Sequence, residues 1–254
     1  MILESFRLDG KNAVVTGSTR GLGAAIAVAL AEAGANVGIH GRSPGAGESC
    51  AKIRQLGKKS FYFGADLADH HTCSDLMRKT IHEFGSIDIL VNNAGMIRRA
   101  PAVDYSLTDW NELIAVHLTA VFRLSQLAAQ HMMQQGSGGK ILNIASLLSF
   151  QGGILVPAYA AAKGGVAVLT KSLANEWASK GINVNAIAPG YMVTDNTSAL
   201  RNDPVRSRQI LDRIPAGHWG KPADLAGAAV FLCSSAGDYV HGHVLVVDGG
   251  WLAR

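Results

Sequence analysis

Residues 16–23 read Thr16-Gly17-Ser18-Thr19-Arg20-Gly21-Leu22-Gly23, directly after the apolar run Ala13-Val14-Val15 and at the start of a helix-like stretch over 21–33. A strand that ends in a glycine-rich turn and opens a helix is the entry to a dinucleotide-binding α/β unit. Gly17 allows the tight turn, Gly21 lets the backbone approach a pyrophosphate, and Gly23 permits close packing of helix on sheet. The start of the helix presents unpaired N–H groups and a partial positive charge. Leu22 and Thr19 sit in the same turn and count with it as cofactor residues. Alone, such a turn is weak evidence; the rest of the chain decides what it means.

Outward from this turn the chain keeps one rhythm. Short Val/Ile-rich runs predict strands over 12–16, 36–40, 60–64, 87–91, 140–145, 182–188 and 243–247. Helical patterns fill the intervals, chiefly 107–135 and 158–180. Strands separated by helix-length crossovers demand a parallel sheet with helices on both faces. Their nearly continuous apolar character suits strands buried on both sides. No linker, composition shift or internal repeat divides the chain, so residues 1–254 are expected to form a single-domain α/β fold on a doubly wound seven-stranded parallel sheet. The least regular stretch, 189–213, follows a strand's carboxyl end, where a substrate lid would lie.

Bulk properties exclude several classes. Of 254 residues 48% are hydrophobic, enough for a large core, and 17% are charged, too few for a disordered chain. The net charge of +4 is spread out, with only short pairs such as Lys58-Lys59 and Arg98-Arg99, unlike the focused basic face of a nucleic-acid binder. Cys50, Cys73 and Cys233 are odd in number and far apart, which suits a reducing compartment and offers no metal-site spacing. The opening MILESFRLDG lacks the apolar core of a signal peptide, and the apolar stretch 24–31 is too short to span a bilayer. The expectation is a cytoplasmic protein with no membrane, nucleic-acid or metal partner.

The second strand ends in His40-Gly41-Arg42. An NAD enzyme places an acid near here for the ribose 2′-hydroxyl, but no acid appears before Glu48. Arg42 can grip a 2′-phosphate through paired charge-assisted hydrogen bonds, and Arg20 could reach it from the other side. NADP is therefore favoured, with NAD as the alternative; both arginines could equally be solvated surface residues. Asp66-Leu67, after the third strand, sits where an adenine ring would rest. Asn92-Asn93-Ala94-Gly95 follows the fourth; small residues there let backbone lie along a cofactor, and a plain turn would explain the asparagines as well.

Tyr159 and Lys163 are four apart on a helical stretch and so share one face. Ser146 lies just past the fifth strand, at the carboxyl edge where ligands bind. These three residue types suit hydride transfer at an alcohol or ketone carbon, because the oxygen must lose or gain a proton as hydride moves. A free tyrosine, with a pKa of about 10, is a poor base at neutral pH. A nearby ammonium and a positive nicotinamide ring favour phenolate. Ser146 would hold the oxygen by a hydrogen bond that strengthens as charge develops.

Taken together, TGSTRGLG at residues 16–23, NNAG at 92–95, Ser146, YAAAK at 159–163 and Pro189-Gly190 resemble the short-chain dehydrogenase/reductase family over essentially the whole chain. The resemblance implies a Rossmann fold, Tyr159 as acid/base, and Lys163 binding the nicotinamide ribose while tuning Tyr159. It also implies contacts from Val193 and Thr194 to the nicotinamide amide, cofactor contacts along Pro189-Gly190, and a homotetramer. One position departs from the family pattern. The catalytic Asn of the long helix aligns with His117, whose backbone carbonyl or ring could serve a proton relay, or which could be a tolerated polar substitution.

A narrower resemblance lies in the loops 95–99, 149–153 and 214–217 and in the ending DGGWLAR, which are similar to sugar-acid dehydrogenases of the deoxygluconate type within that family. A sugar acid needs a cation for its carboxylate and polar groups for its hydroxyls. Arg98 or Arg99 beyond the cofactor loop, Gln151 beyond Ser146, and Arg213 at the end of the lid are candidates; surface ion pairs would explain each arginine equally well. The competing expectation is a 3-oxoacyl carrier-protein reductase or broad carbonyl reductase, which would need an apolar channel rather than a compact polar pocket.

Overall fold

In the strand Asn12–Val15, Ala13 and Val15 face one side of a sheet and Val14 the other, and all three are fully buried. This period of two in an apolar run is what a strand covered on both faces requires. The computed structural model describes residues 1–254 except Ser43, Pro44, Ala46, Gly47 and His70. The described strands are β1 (Asn12–Val15), β2 (Asn36–Gly41), β3 (Tyr62–Gly64), β4 (Ile89–Asn92), β5 (Gly139–Ile144), β6 (Ile182–Pro189) and β7 (Val244–Val247). They form one parallel sheet in the order β3-β2-β1-β4-β5-β6-β7, as the alternating pattern predicts. The order reverses between β1 and β4, and a ligand crevice opens at the carboxyl ends of strands at such a point.

The helices are α1 (Gly21–Glu32), α2 (Ser49–Gln55), α3 (His71–Phe84), α4 (Leu107–Ile114), α5 (Ala120–Gln135), α6 (Pro157–Trp177), α7 (Ser198–Asn202), α8 (Pro204–Leu211) and α9 (Ala226–Cys233). Ile26 and Leu30 of α1, Ile53 of α2 and Leu232 of α9 close one face of the sheet. Leu76 of α3, Leu124 and Met132 of α5, and Leu173 and Trp177 of α6 close the other. Burying one such side chain stabilises the fold by roughly 1.5–3 kcal/mol, so the two layers dominate its stability.

Two features differ from the plain pattern. The expected helix over 107–135 is continuous, but residues Ala115–Thr119 form a π-helical turn, and His117 lies within it. A π-turn widens a helix by one residue and turns side chains out of register, which occurs often at functional sites. This helix is long and apolar enough to cross a membrane by length and composition, yet half of its most apolar window is buried in the fold. The stretch 189–213, expected as irregular, contains α7 and α8. Asp203 Oδ1 accepts the N–H groups of Val205 and Arg206 at 3.0 and 2.9 Å, and Pro204 occupies the first turn, a strong helix start. Ile210, Ile214, Leu147 and Trp251 then pack together, pinning this segment over the sheet's carboxyl edge.

Candidate active site

The glycine turn is built by exclusion. A methyl at Gly17 would lie 2.7 Å from Ala94 Cα, and one at Gly23 would lie 2.3 Å from Asn93 Nδ2 and 2.4 Å from Gly17 O. Gly21 differs: its φ is +60°, and a methyl there would meet nothing nearer than Thr194 Cγ2 at 3.9 Å. Gly17, itself at φ +61°, makes the turn and with Gly23 leaves no room for a side chain, while Gly21 exposes backbone to an open cleft. Arg20 caps α1 without a side-chain hydrogen bond, so among the described residues no side chain occupies the first-turn N–H groups. Asn93 Nδ2 donates to Thr16 O (2.8 Å) and Gly17 O (2.9 Å), tying this turn to β4.

A cavity of about 500 Å³ runs from this turn to Tyr159 and Lys163. It is lined at one end by Gly17, Thr19, Arg20, Gly21, Leu22 and Gly23, then Gly41, Arg42, Asp66 and Leu67. Asn93, Ala94, Gly95 and Thr194 form its middle, and His117, Tyr159 and Lys163 its far end. An elongated cleft with a phosphate-compatible helix start at one end and a tyrosine at the other fits a dinucleotide. Among the described residues no cluster of three or more His, Cys, Asp or Glu could hold a metal.

The expected adenosine-end cations are both present on the rim. Arg42 Nη1 lies 3.8 Å from Asp66 Oδ2, and Arg20 Nε lies 3.2 Å from Asp195 Oδ2 across the cleft. All four side chains are largely exposed, so each pair is worth at most about 1 kcal/mol and exchanges readily for an anion. Of the remaining expected cofactor residues, Pro189 ends β6 and Gly190 lines a second, smaller cavity. Val193 donates its N–H to Gly220 O at 2.7 Å and is not among the lining residues of the main cavity.

At the far end, Ser146 Oγ accepts the Leu148 N–H at 3.1 Å, and the Ser146 hydroxyl acts on the Tyr159 phenol. Burial raises the Tyr159 pKa above its ordinary value, against the Ser146 hydrogen bond and the Arg99 charge, which both lower it. Lys163, 4% exposed, donates from Nζ to Ile144 O and lies 5.7 Å from the Tyr159 ring centre. Burial brings its pKa down to about 8, so it is still mainly an ammonium at neutral pH.

His117, expected from the resemblance to stand where the family has Asn, is almost fully buried. Its ring meets Tyr159 edge-on at 5.1 Å, and its Nε2 faces both the Met96 N–H (3.0 Å) and the Met96 carbonyl (2.7 Å). Among the described residues its buried Nδ1 has no partner. A methyl at Gly95 would lie 2.4 Å from His117 Cε1, so this imidazole requires a glycine opposite. Burial, with the Lys163 charge, lowers the His117 pKa to about 3.

The expected substrate residues divide. Arg98 does not reach the site: it pairs with Asp109 at 3.6 Å and Glu112 at 3.3 Å on α4. Its neighbour Arg99 is the cation whose charge acts on Tyr159, and its guanidinium also donates to Asn196 O of the lid at 3.2 Å. Ala100, the next residue, donates its N–H to Leu155 O at 3.0 Å. Leu155 has φ of 65°, a conformation costing on the order of 1–3 kcal/mol, and this bond helps hold it. Gln151 Oε1 accepts from Trp251 Nε1 at 3.3 Å, and the Arg213 guanidinium stacks 4.1 Å above the Trp251 ring. Both are therefore organised around Trp251 rather than around Tyr159.

Sequence reasoning passed over His40, Met96, Asp195 and Asn196, all of which line the cavity. Each adjoins a motif residue, and only His40 carried a signal of its own, a polar residue ending a buried strand. It is 2% exposed, and burial lowers its pKa to about 4. His40 and His117 must both stay neutral in the fold, while in the unfolded chain they take up a proton near pH 6.5. Their contribution to stability is therefore full above pH 6.5 and is lost as pH falls toward 4. At about 1.4 kcal/mol per pKa unit, the loss is on the order of several kcal/mol. Thermal melts from pH 7 to pH 4 should show a steep fall in Tm, and His117→Asn should flatten it; an unchanged slope would contradict the assignment.

Known proteins share this architecture closely. A family model described as enoyl-(acyl carrier protein) reductase matches residues 17–252. The chain is 54% identical over 255 residues, 100% of both chains, to the 2-dehydro-3-deoxy-D-gluconate 5-dehydrogenase of Escherichia coli. A solved structure of a candidate 2-deoxy-D-gluconate 3-dehydrogenase from Agrobacterium tumefaciens with bound NADP is 54% identical. It superposes with a TM-score of 0.92, covering 98% of this chain and 99% of that one. A gluconate 5-dehydrogenase from Burkholderia cenocepacia, in complex with NADP and tartrate, is 41% identical with a TM-score of 0.95 over 100% of each chain.

Proposed function

The chain belongs to the short-chain dehydrogenase/reductase family, and from that we propose that it is an NADP(H)-dependent oxidoreductase acting on a secondary alcohol or ketone of a deoxygluconate-type sugar acid. The observation that carries this reading is the Tyr159–Lys163 pair at the end of a dinucleotide-shaped cavity, with Ser146 and the Arg99 charge both acting on Tyr159. The named activities of the relatives and the NADP in two structural neighbours support it.

The nicotinamide, when bound, supplies or accepts the hydride. The chain's own residues handle everything else. Tyr159 gives its phenolic proton to the ketone oxygen during reduction and takes one from the alcohol during oxidation. Ser146 holds that same oxygen, with its hydroxyl already oriented by the Leu148 N–H. Lys163 uses one of three donors on Ile144 O, leaving two for a ribose hydroxyl. His117 packs on the Tyr159 ring and fixes the backbone at Met96, with Nδ1 left as the polar atom of a proton path.

Arg20 and Arg42 donate to the 2′-phosphate, Asp66 and Leu67 flank the adenine, and Thr194 borders the nicotinamide, with Pro189, Gly190 and Val193 set behind it. Arg99 takes the substrate carboxylate, while Gln151 and Arg213 are both engaged with Trp251. The segment 189–213 acts as the lid of a single domain. The exposed apolar residues Leu107, Trp110, Phe122 and Val168 and the partly exposed edge strand β7 give two separate surfaces for a homotetramer. Three buried, free cysteines suit the reducing cytoplasm.

A steady-state panel tests this: 2-dehydro-3-deoxygluconate, 2-deoxygluconate and acetoacetyl thioesters, each with NADP(H) and NAD(H). We expect turnover on the sugar acids with NADP(H) preferred. Arg42→Ala should weaken NADPH binding about 10-fold and leave NADH within about 2-fold, the value of a charge-assisted contact to phosphate. Activity confined to thioesters overturns the substrate, and equal loss for both cofactors overturns Arg42.

A further inference from the structure

One buried imidazole joins three segments of the cofactor cleft. His40 ends β2, and its Nδ1 accepts the Gly17 N–H of the glycine turn at 3.2 Å. Since Nδ1 accepts, the ring proton of the neutral form sits on Nε2, which donates to Ala65 O at 3.1 Å, just before Asp66 and Leu67. Backbone bonds reinforce the first link: Ser18 N–H donates to His40 O at 2.9 Å, and His40 N–H donates to Ser18 Oγ at 3.2 Å. The ring lines the cavity directly below the place where Gly41 and Arg42 emerge.

Each bond orients a group with little freedom of its own. Gly17 sits at φ +61°, wedged against Ala94, and its peptide N–H has no helix or strand partner there. The Ala65 carbonyl follows the last residue of β3, where the sheet ends. Removing the imidazole would release the turn, the adenine-side loop and the Arg42 approach together, while Ser146, Tyr159 and Lys163 stand at the other end of the cavity.

We propose that His40 is the positioning residue of the adenosine-phosphate end of the dinucleotide site, setting cofactor affinity without taking part in the proton or hydride step. The bond to Gly17 carries most of the effect, because that turn aims the N–H groups of α1 at the pyrophosphate. The inference rests on the NADP reading of the cleft, but its first test does not.

Three variants separate the two bonds. His40→Phe fills the ring volume and makes neither. His40→Asn places an acceptor where Nδ1 stands and keeps only the Gly17 bond; His40→Gln places a donor where Nε2 stands and keeps only the Ala65 bond. In the ligand-free protein, amide exchange at Gly17 should accelerate about 10-fold in Phe and Gln and stay near wild type in Asn. NADPH titration by fluorescence should show the same order, with Kd raised about 10-fold in Phe and Gln, and kcat at saturating cofactor unchanged. Unchanged Gly17 exchange and Kd in Phe, equal losses in Asn and Gln, or a fall in kcat at constant Kd would each overturn the proposal. If Phe does not fold, the Asn–Gln comparison decides alone. If wild type binds neither NADPH nor NADH, the cofactor reading fails, while the exchange data still judge whether His40 holds the turn.

Discussion

Replacing Tyr159 with Phe is expected to lower kcat by about 10³-fold or more while leaving NADPH Kd within about 2-fold. The substitution removes one oxygen, the atom that moves the proton, and general acid–base groups contribute roughly 10²–10⁴-fold. The ring's packing on His117 is retained, so the fold and the cleft should be unaffected. Steady-state kinetics and fluorescence titration on the same preparation check both halves. Substantial turnover in Tyr159→Phe would remove this residue from the proton step; lost cofactor binding would give it a different role.

Arg99→Ala should lower kcat/KM for a sugar acid by about 10²-fold, whereas Arg98→Ala should stay within about 3-fold. A charge-assisted bond to a carboxylate is worth roughly 1.5–3 kcal/mol, and the expected loss is the upper end of that range. Arg98 is already held by Asp109 and Glu112 at the surface, where such pairs contribute little. A polyol of the same length lacking the carboxylate should react equally poorly with wild type and Arg99→Ala. The reverse ranking of the two arginines, or equal loss on acid and polyol, would sink the carboxylate assignment.

The contrast between these neighbours shows where reading residues in order stops. Arg98 and Arg99 are equivalent as letters, and the choice between them depends on which of them α4 engages with Asp109 and Glu112. Tyr159 and Lys163, by contrast, share a face because helical spacing alone brings i and i+4 together. The glycines of the turn were equally legible: φ and close packing are local demands, and Gly17, Gly21 and Gly23 meet them in the roles their positions suggest. The lid helices were missed although Asp203-Pro204 is a helix start in plain view, because surrounding charges masked any apolar periodicity.

His40 marks the same boundary more sharply. Its place near the end of an apolar strand marks it as unusual, but nothing local says what it holds. Its two partners are 23 and 25 residues away and meet it only because β1, β2 and β3 lie side by side. The Gly95–His117 fit and the edge contact of His117 with Tyr159 likewise join residues more than twenty positions apart. Period, turn chemistry and motif order, which depend on covalent geometry and nearest neighbours, determined the sheet, the cofactor end and the Tyr159–Lys163 pair. Tertiary packing alone decided which arginine faces the tyrosine, which imidazole braces the turn, and which charges remain on the surface. Burial and distance between remote segments set those outcomes, and neither is a property of any local stretch.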